Sequence, residues 1–377
     1  MDGSEAAAHE VATAWSEFSD QLRVAGERVG ALVADLSPIE RADGYRALLR
    51  ATNNQLGRLE VDRERPELVA FNGWREKFLM DNPDFRYWVA DVHDDRRYRI
   101  IGSMAGAVYC SITAYSSSGV LDAAASTRID SDALPVGADG TFEVTLAREP
   151  TGDGRWLALA EGTRSVWVRM FFDGPDEAGS AWCRIEPLDP VAPPAPIEPD
   201  RFAQQLRRAG ATVARWPKLV RAAAASDLAA PNTVRHWSEM TGGAAFTEPG
   251  IHYLRGSWEL DAGEALVIDG PLPDCRYWSV LLYSRFLNSL DHRHRRVSRT
   301  AATSTVVDGR YRYVLSAQDP GSGRGDGSGD GSGDGPVGDW LDTEGRRFGI
   351  VVLRFLHSRQ PPDLPTVRRV ATGRGRS

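Results

Sequence analysis

The densest run of chemistry-bearing side chains is Asp291-His292-Arg293-His294-Arg295-Arg296. On a strand, His292 and His294 would project from one side, a spacing that suits two imidazoles on zinc, with Asp291 or His252 as a third ligand. Three interleaved or adjacent arginines would repel a divalent cation, so no metal is assigned. The same arginines, Arg293, Arg295 and Arg296 with Arg299, suit a carboxylate or phosphate through their guanidinium forks. A solvated basic turn accounts for the run without any ligand. Paired carboxylates for acid–base work could come from Glu259, Asp261, Glu264, Asp291 or Asp342, but glycoside hydrolysis needs two carboxyls about 5–10 Å apart, a distance no sequence supplies. No glycine-rich dinucleotide fingerprint, phosphate loop, His-Glu-x-x-His or Gly-x-Ser-x-Gly elbow is present. That disfavours nucleotide-dependent enzymes and the common metallohydrolase and serine-hydrolase types, and no cofactor is expected.

These residues sit in an ordinary globular composition. The 377 residues are 42% hydrophobic and 26% charged, with a net charge of −7, so the chain can bury two or three domains and offers no general basic surface for nucleic acid. Of 45 basic residues only Lys77 and Lys218 are lysine, which reads as a GC-rich genome before it reads as phosphate recognition. The acidic start, Met1 to Glu5, lacks a basic region and an apolar run, and no stretch approaches the ~18 apolar residues of a membrane span. Cys110, Cys183 and Cys275 are odd in number and scattered, which points to buried thiols rather than a disulfide framework. A cytoplasmic protein with no membrane partner is the expectation.

The elements that must position the candidates are mostly strands. Residues 5–36 read as one helix with an apolar stripe of Val11, Trp15, Phe18, Leu22, Ala25, Val29, Leu32 and Leu36. Ser37-Pro38-Ile39-Glu40 starts a second helix, with a capping serine, a first-turn proline and a glutamate reaching back. Its apolar side is Tyr45, Leu48, Leu49, Leu56 and Leu59. The two form a hairpin over 1–82 that packs on its own domain; its seam could also recruit a second subunit. Alternation at Val108–Tyr115 and Val166–Phe172 marks a first antiparallel β-domain over 83–190. A proline-rich linker and a helix over about 200–225, interrupted by Pro217, fill 191–239. Strands resume in a C-terminal β-domain over 240–370, followed by a tail at 371–377. The fold class is therefore mainly β with helical additions: two antiparallel sandwich or jelly-roll-like domains, an N-terminal helical hairpin and a linker helix. Pro-Asp-x-Arg-Tyr-Trp occurs at 83–88 and at 273–278, which raises the question of duplication without deciding it. Residues 321–335 are Gly, Ser, Asp and one Arg, lack the apolar positions of calcium-binding repeats, and read as a mobile, dispensable insertion.

The last third carries a series of signatures: Arg276-Tyr277-Trp278-Ser279, Asn288-Ser289-Leu290-Asp291, Asp308-Gly309, Asp319-Pro320-Gly321 and Asp339-Trp340-Leu341-Asp342-Thr343-Glu344-Gly345. The strand Arg347 to Leu356 and Leu364-Pro365-Thr366-Val367 follow. This series resembles the C-terminal β-domain family catalogued as domain of unknown function 1214, common in actinobacterial proteins, and 83–102 more loosely resembles its usual companion. The resemblance implies the β fold and attaches no chemistry. On its signatures the ligand-binding candidates are Trp278, Arg285, Asn288, Asp291, Arg299, Trp340 and Asp342, at strand ends or adjoining loops. Tryptophan faces beside carboxylates and amides suit a sugar or another small polar or amphipathic molecule. Packing tryptophans and turn-capping carboxylates would explain the same residues. A metal-independent carboxylate hydrolase or lyase, and an interaction protein working through the N-terminal helix, are the other two readings.

Overall fold

The computed structural model describes residues 3–73, 75–116, 124–152, 155–174, 180–240, 247–321 and 337–372. All but Gly321 of the 321–335 insertion lies outside them. The chain divides into two compact units, one of Met1–Phe78 with Phe85–Ala222, the other of Leu79–Asp84 with Ala223–Ser377. It is mainly β with helical additions, as the alternation indicates, and it begins with a helical hairpin.

In the first unit, α1 (Gly3–Val33) and α2 (Pro38–Leu56) form that hairpin, and α3 (Pro199–Ala223) lies along α1. Ser37 caps α2, its Oγ accepting the Glu40 N–H and donating to the Glu40 carboxylate at 2.8 Å, with Pro38 in the first turn. Ala14 and Phe18 pack with Ala203, Leu206 and Ala209, and Gly210 lets α3 approach, since a Cβ there would lie 3.3 Å from the Phe18 backbone. The expected stripes need correction. Trp15 is exposed, and Ala14 and Val33 are buried beside Phe18, Ala25 and Val29. On α2 only Leu48 of the expected apolar side is buried and Leu59 is half-buried, while Tyr45, Leu49 and Leu56 face outward. Small residues, Gly44, Ala47 and Ala51, take the inner face instead, where close helix approach favours them. Helix α3 continues through Pro217, whose ring forgoes one helical hydrogen bond.

Among the described residues, nine strands of the same unit make two sheets. β1 (Val69–Phe71), β2 (Phe85–Asp91), β8 (Thr163–Phe171), β4 (Tyr109–Ser116) and β5 (Ala124–Asp130) form one, in the order 1-2-8-4-5. β7 (Trp156–Ala158), β6 (Thr141–Ala147), β3 (Tyr98–Ser103) and β9 (Trp182–Pro187) form the other, in the order 7-6-3-9, with β6 and β7 parallel. Ile100, Cys110, Ile112, Val144, Val166, Val168 and Met170 fill the space between them.

The second unit opens with α4 (Ala225–Ala229) and repeats this topology. β10 (Thr233–His236), β11 (Ile251–Glu259), β18 (Phe348–Leu356), β13 (Tyr277–Tyr283) and β14 (Ser298–Thr300) follow the order 10-11-18-13-14. β15 (Val306–Val307), β16 (Arg310–Ser316), β12 (Glu264–Pro271) and β19 (Thr366–Ala371) form the facing sheet, and β17 (Asp339–Asp342) runs parallel to β16. Strand for strand, β1, β2, β3, β4, β5, β6, β7, β8 and β9 correspond to β10, β11, β12, β13, β14, β16, β17, β18 and β19. Among the described residues only β15 is extra.

The registers repeat as well. On the outer face of the first five-stranded sheet, Tyr87, Arg169 and Ser111 stand in one cross-strand row. Tyr253, Arg354 and Ser279 stand in the equivalent row of the second. The strand carrying the serine reads Tyr-x-Ser-x-x-x-Tyr in both, at 109–115 and 277–283. The Pro-Asp-x-Arg-Tyr-Trp match is a different matter: it leads into β2 in one unit and β13 in the other, which are not equivalent strands.

Candidate functional site

The connection from β13 to β14 is built by turn chemistry. Leu287 takes a left-handed backbone (φ 60°), and the Asn288 carbonyl accepts the Ser284 N–H at 2.9 Å. Asp291 then starts a turn, as the solvated-turn reading of this run has it, and not the strand on which the two imidazoles would share a side. Its Oδ1 accepts the N–H groups of Arg293 (3.1 Å) and His294 (3.2 Å), and His294 Nδ1 lies 3.0 Å from its Oδ2. In this turn His292 and His294 lose the alternation that placed them on one side, and among the described residues they join no cluster of three metal-ligating groups.

β17 docks on this turn. The Arg296 carbonyl accepts the Asp342 N–H at 2.7 Å, and the Glu344 carboxylate accepts the Asp291 N–H at 2.6 Å. Arg295 Nη1 donates to Asp342 Oδ2 at 2.8 Å, while Asp342 Oδ1 takes the Glu344 N–H at 2.7 Å. Arg296 lies 3.9 Å from Asp319, whose other oxygen caps the Gly321 N–H. The indole N–H of Trp340 donates to the Ser316 carbonyl at 3.2 Å, which fixes the ring.

Together these form an open depression of about 540 Å³. Asp291, His294, Arg295 and Arg296 line it from the β13–β14 connection, Asp319 from the end of β16, and Trp340 and Asp342 from β17. Three carboxylates meet two guanidinium groups, and each arginine already faces a carboxylate. A free anion would therefore meet the three carboxylates beside these two guanidinium groups. Partial burial pulls the Asp291 carboxyl upward, but the His294 hydrogen bond and the two backbone N–H groups outweigh it and hold it below the ordinary range. Arg295 is raised by its bond to Asp342.

Such a depressed carboxyl contributes stability that is complete above its unfolded value, about 3.9, and is lost as pH falls through the lower folded value. The melting-temperature difference between wild type and Asp291→Asn should therefore shrink as the pH falls below about 4. A difference of equal size at pH 3 would show that the charge of Asp291 is not what holds this turn.

Of the seven candidates, the depression gathers Asp291, Trp340 and Asp342. The other four stand elsewhere. Trp278 shares a row with Phe355 and turns into the sandwich, where its indole nitrogen is buried without a hydrogen-bond partner among the described residues. Arg285 lies 4.9 Å over the Phe348 ring. Asn288 is buried and serves the turn through its carbonyl. Arg299 on β14 donates to the Thr303 carbonyl at 3.2 Å. Of the other proposed carboxylates, Glu259, Asp261 and Glu264 bracket the β11–β12 turn, with Arg347 near the first two and Arg369 near the third. Sequence reasoning missed the part of Glu344, although a left-handed residue (φ 56°) before a left-handed glycine (Gly345, φ 70°) marks a built turn.

The duplication provides an internal control. Trp156 in β7 occupies the place of Trp340: each stands beside the equivalent strand, and the Trp156 indole donates to the Ala147 carbonyl at 3.0 Å as that of Trp340 does to Ser316. The place of Asp342 is taken by Ala158. The fold needs the tryptophan in both units and manages without the carboxylate in one.

Among known structures the chain is similar to an uncharacterized protein from Burkholderia cenocepacia, with 28% sequence identity and a TM-score of 0.85 over 97% of this chain and 99% of that one. A protein from Vibrio parahaemolyticus aligns over 93% of this chain and 100% of that one at 13% identity and a TM-score of 0.47. No family model and no curated protein matches the sequence. Among the described residues no helix is long and apolar enough to cross a membrane.

Proposed function

We propose that the second unit binds a small, uncharged polar or amphipathic molecule, of carbohydrate kind, in the depression bounded by Trp340, Asp291 and Asp342. The observation that carries this reading is the difference between the twin positions. A common tryptophan scaffold has acquired Asp342 and the Arg295 pair in one unit, where the other has Ala158. A fixed indole offers an apolar surface, and flanking carboxylates and guanidinium groups offer directed acceptors and donors, the combination a polyol requires. The excess of carboxylates over guanidinium groups favours an uncharged ligand over an anion.

A carboxylate hydrolase or lyase is the less supported reading. A general acid must keep its proton near neutral pH, whereas Asp291 is held below the ordinary range and Asp342 is bonded to Arg295. On the quoted signatures alone, membership of the C-terminal half in the domain of unknown function 1214 family and a cytoplasmic setting belong to the same proposal.

Thermal shift with a panel of neutral mono- and oligosaccharides and amphipathic metabolites tests it. A ligand present at 100 times its dissociation constant should add about 2.7 kcal/mol. The response should disappear in the Trp340→Ala, Asp291→Ala double variant. A panel with no responding compound, or a response that survives both substitutions, would remove the ligand from this depression.

A further inference from the structure

Helix α3 carries six basic residues against one acid, Asp200 in its first turn, and is therefore +5 in a chain whose net charge is −7. Its apolar side is buried, and Arg207 is tied to Glu10 and Glu17 of α1. The other cations face water. Arg201, Arg208, Arg215 and Lys218 are exposed, and at about 100° per residue they fall within an arc of roughly 100°. Arg28, exposed on α1, joins them by donating to the Ala214 carbonyl at 2.6 Å. Among the described residues none of these five cations forms an ion pair. Helix stability does not account for the arrangement. Arg215 and Lys218 stand three residues apart, where like charges repel and a carboxylate in either place would attract. Arg221 alone serves the helix, since a cation in the last turn complements its dipole.

We infer that this face of α3 binds an acidic segment of another protein. Charge complementarity selects an anion, and the composition of the face selects which. Arginine forks take a carboxylate through paired hydrogen bonds. Along the axis Arg208 and Arg215 are about 10.5 Å apart, the span of about three residues of extended chain, so carboxylates at every third position of such a segment meet both. An anionic bilayer needs apolar side chains to insert beside the basic ones, whereas the residues sharing the arc are Gln204, Ala211, Thr212 and Ala222. Single-stranded nucleic acid needs aromatic rings for its bases, and both aromatic residues of α3 turn away from the arc, Trp216 into the buried face and Phe202 against the α1 contact. The net charge of −7 also opposes a broad polyanion more than a single narrow chain.

Fluorescence anisotropy of labelled decaglutamate, titrated with the full chain, is the test. The wild type should bind it at low ionic strength, and binding should weaken about tenfold as salt rises from about 0.01 M to about 0.15 M. The Arg208→Glu, Arg215→Glu double variant should bind about tenfold more weakly than wild type at low salt, with unchanged circular dichroism. Arg46→Glu, which reverses an exposed arginine on α2, should bind as the wild type does. If the glutamates disturb the helix, Arg208→Gln with Arg215→Gln keeps the test decisive and should weaken binding in the same direction. A wild type that does not bind at low ionic strength, a double reversal that leaves binding unchanged, or an equal loss in Arg46→Glu would overturn the inference. So would tighter binding of a thymidine oligonucleotide or of phosphatidylglycerol vesicles that the double reversal abolishes, because the face would then serve phosphate groups.

Discussion

Asp342→Ala should leave the second sandwich folded while lowering the affinity for any ligand of the depression about tenfold to a hundredfold, the equivalent of one hydrogen bond to a charged group at about 1.5–3 kcal/mol. Asp342 is buried, but its partner Arg295 is half-exposed, so the guanidinium can return to water when the carboxylate is removed. A part-exposed pair of this kind is worth about 1 kcal/mol at most. Loss of the acceptor for the Glu344 N–H adds about 1 kcal/mol. The Trp340–Ser316 bond does not involve Asp342, and Ala158 at the twin position shows an alanine accommodated at this point of the fold. Calorimetric titration with a responding compound, beside chemical denaturation, separates the two effects. Unchanged affinity would demote Asp342 to a turn-forming residue. A stability loss beyond about 3 kcal/mol would show that the twin comparison misjudges the scaffold.

The strands were readable because each buries one regular face. Cys110, Ile112 and Ala114 alternate with Ser111 and Thr113, and the former point into the sandwich. What alternation could not reveal is that the opposite face is buried too. All nine residues of β18 are buried, and Arg169 and Arg354 are among the most enclosed charges in the chain. A pattern with two buried sides does not say which side is core, and so it could not decide between Trp278 as a ligand-binding candidate on its signature and Trp278 as a packing tryptophan. The duplication was legible in principle, in Tyr-x-Ser-x-x-x-Tyr at 109–115 and 277–283. The hexapeptide that drew attention instead sits on non-equivalent strands, and only the sheet order separates the two matches. Asp291, Trp340 and Asp342 stood out in the sequence because turn formers and a tryptophan at a strand end are local signals. The role of Glu344 depends on a contact 53 residues away in sequence. The outward stripe of α2 was seen as apolar and assigned to the wrong side, since periodicity gives a face and not its partner.

The largest stability effect is expected beneath α4. Asp227 is fully buried, and Arg255, on the outer face of β11, donates to its Oδ2 at 2.6 Å, to the Ala223 carbonyl at 2.9 Å, and stands 5.1 Å from the centre of the Trp237 ring. Asp227→Ala strands the guanidinium in a site from which it cannot reach water, and should cost about 3–5 kcal/mol. The pair is not thereby a strong net contributor. Burial raises the Asp227 carboxyl above its ordinary value against the opposing pull of Arg255, a sign that desolvation outweighs attraction. An Asp227→Leu, Arg255→Met double variant should therefore recover most of the loss, because an apolar pair of similar volume avoids both desolvation costs. The pH dependence gives an independent check. A carboxyl with a raised folded-state value contributes stability that is complete below its unfolded value and is lost as pH rises through the folded one. The apolar pair exchanges no proton, so its stability relative to wild type should increase as pH rises through that window. Additive single-variant losses in urea denaturation would show that Asp227 and Arg255 do not act as a pair.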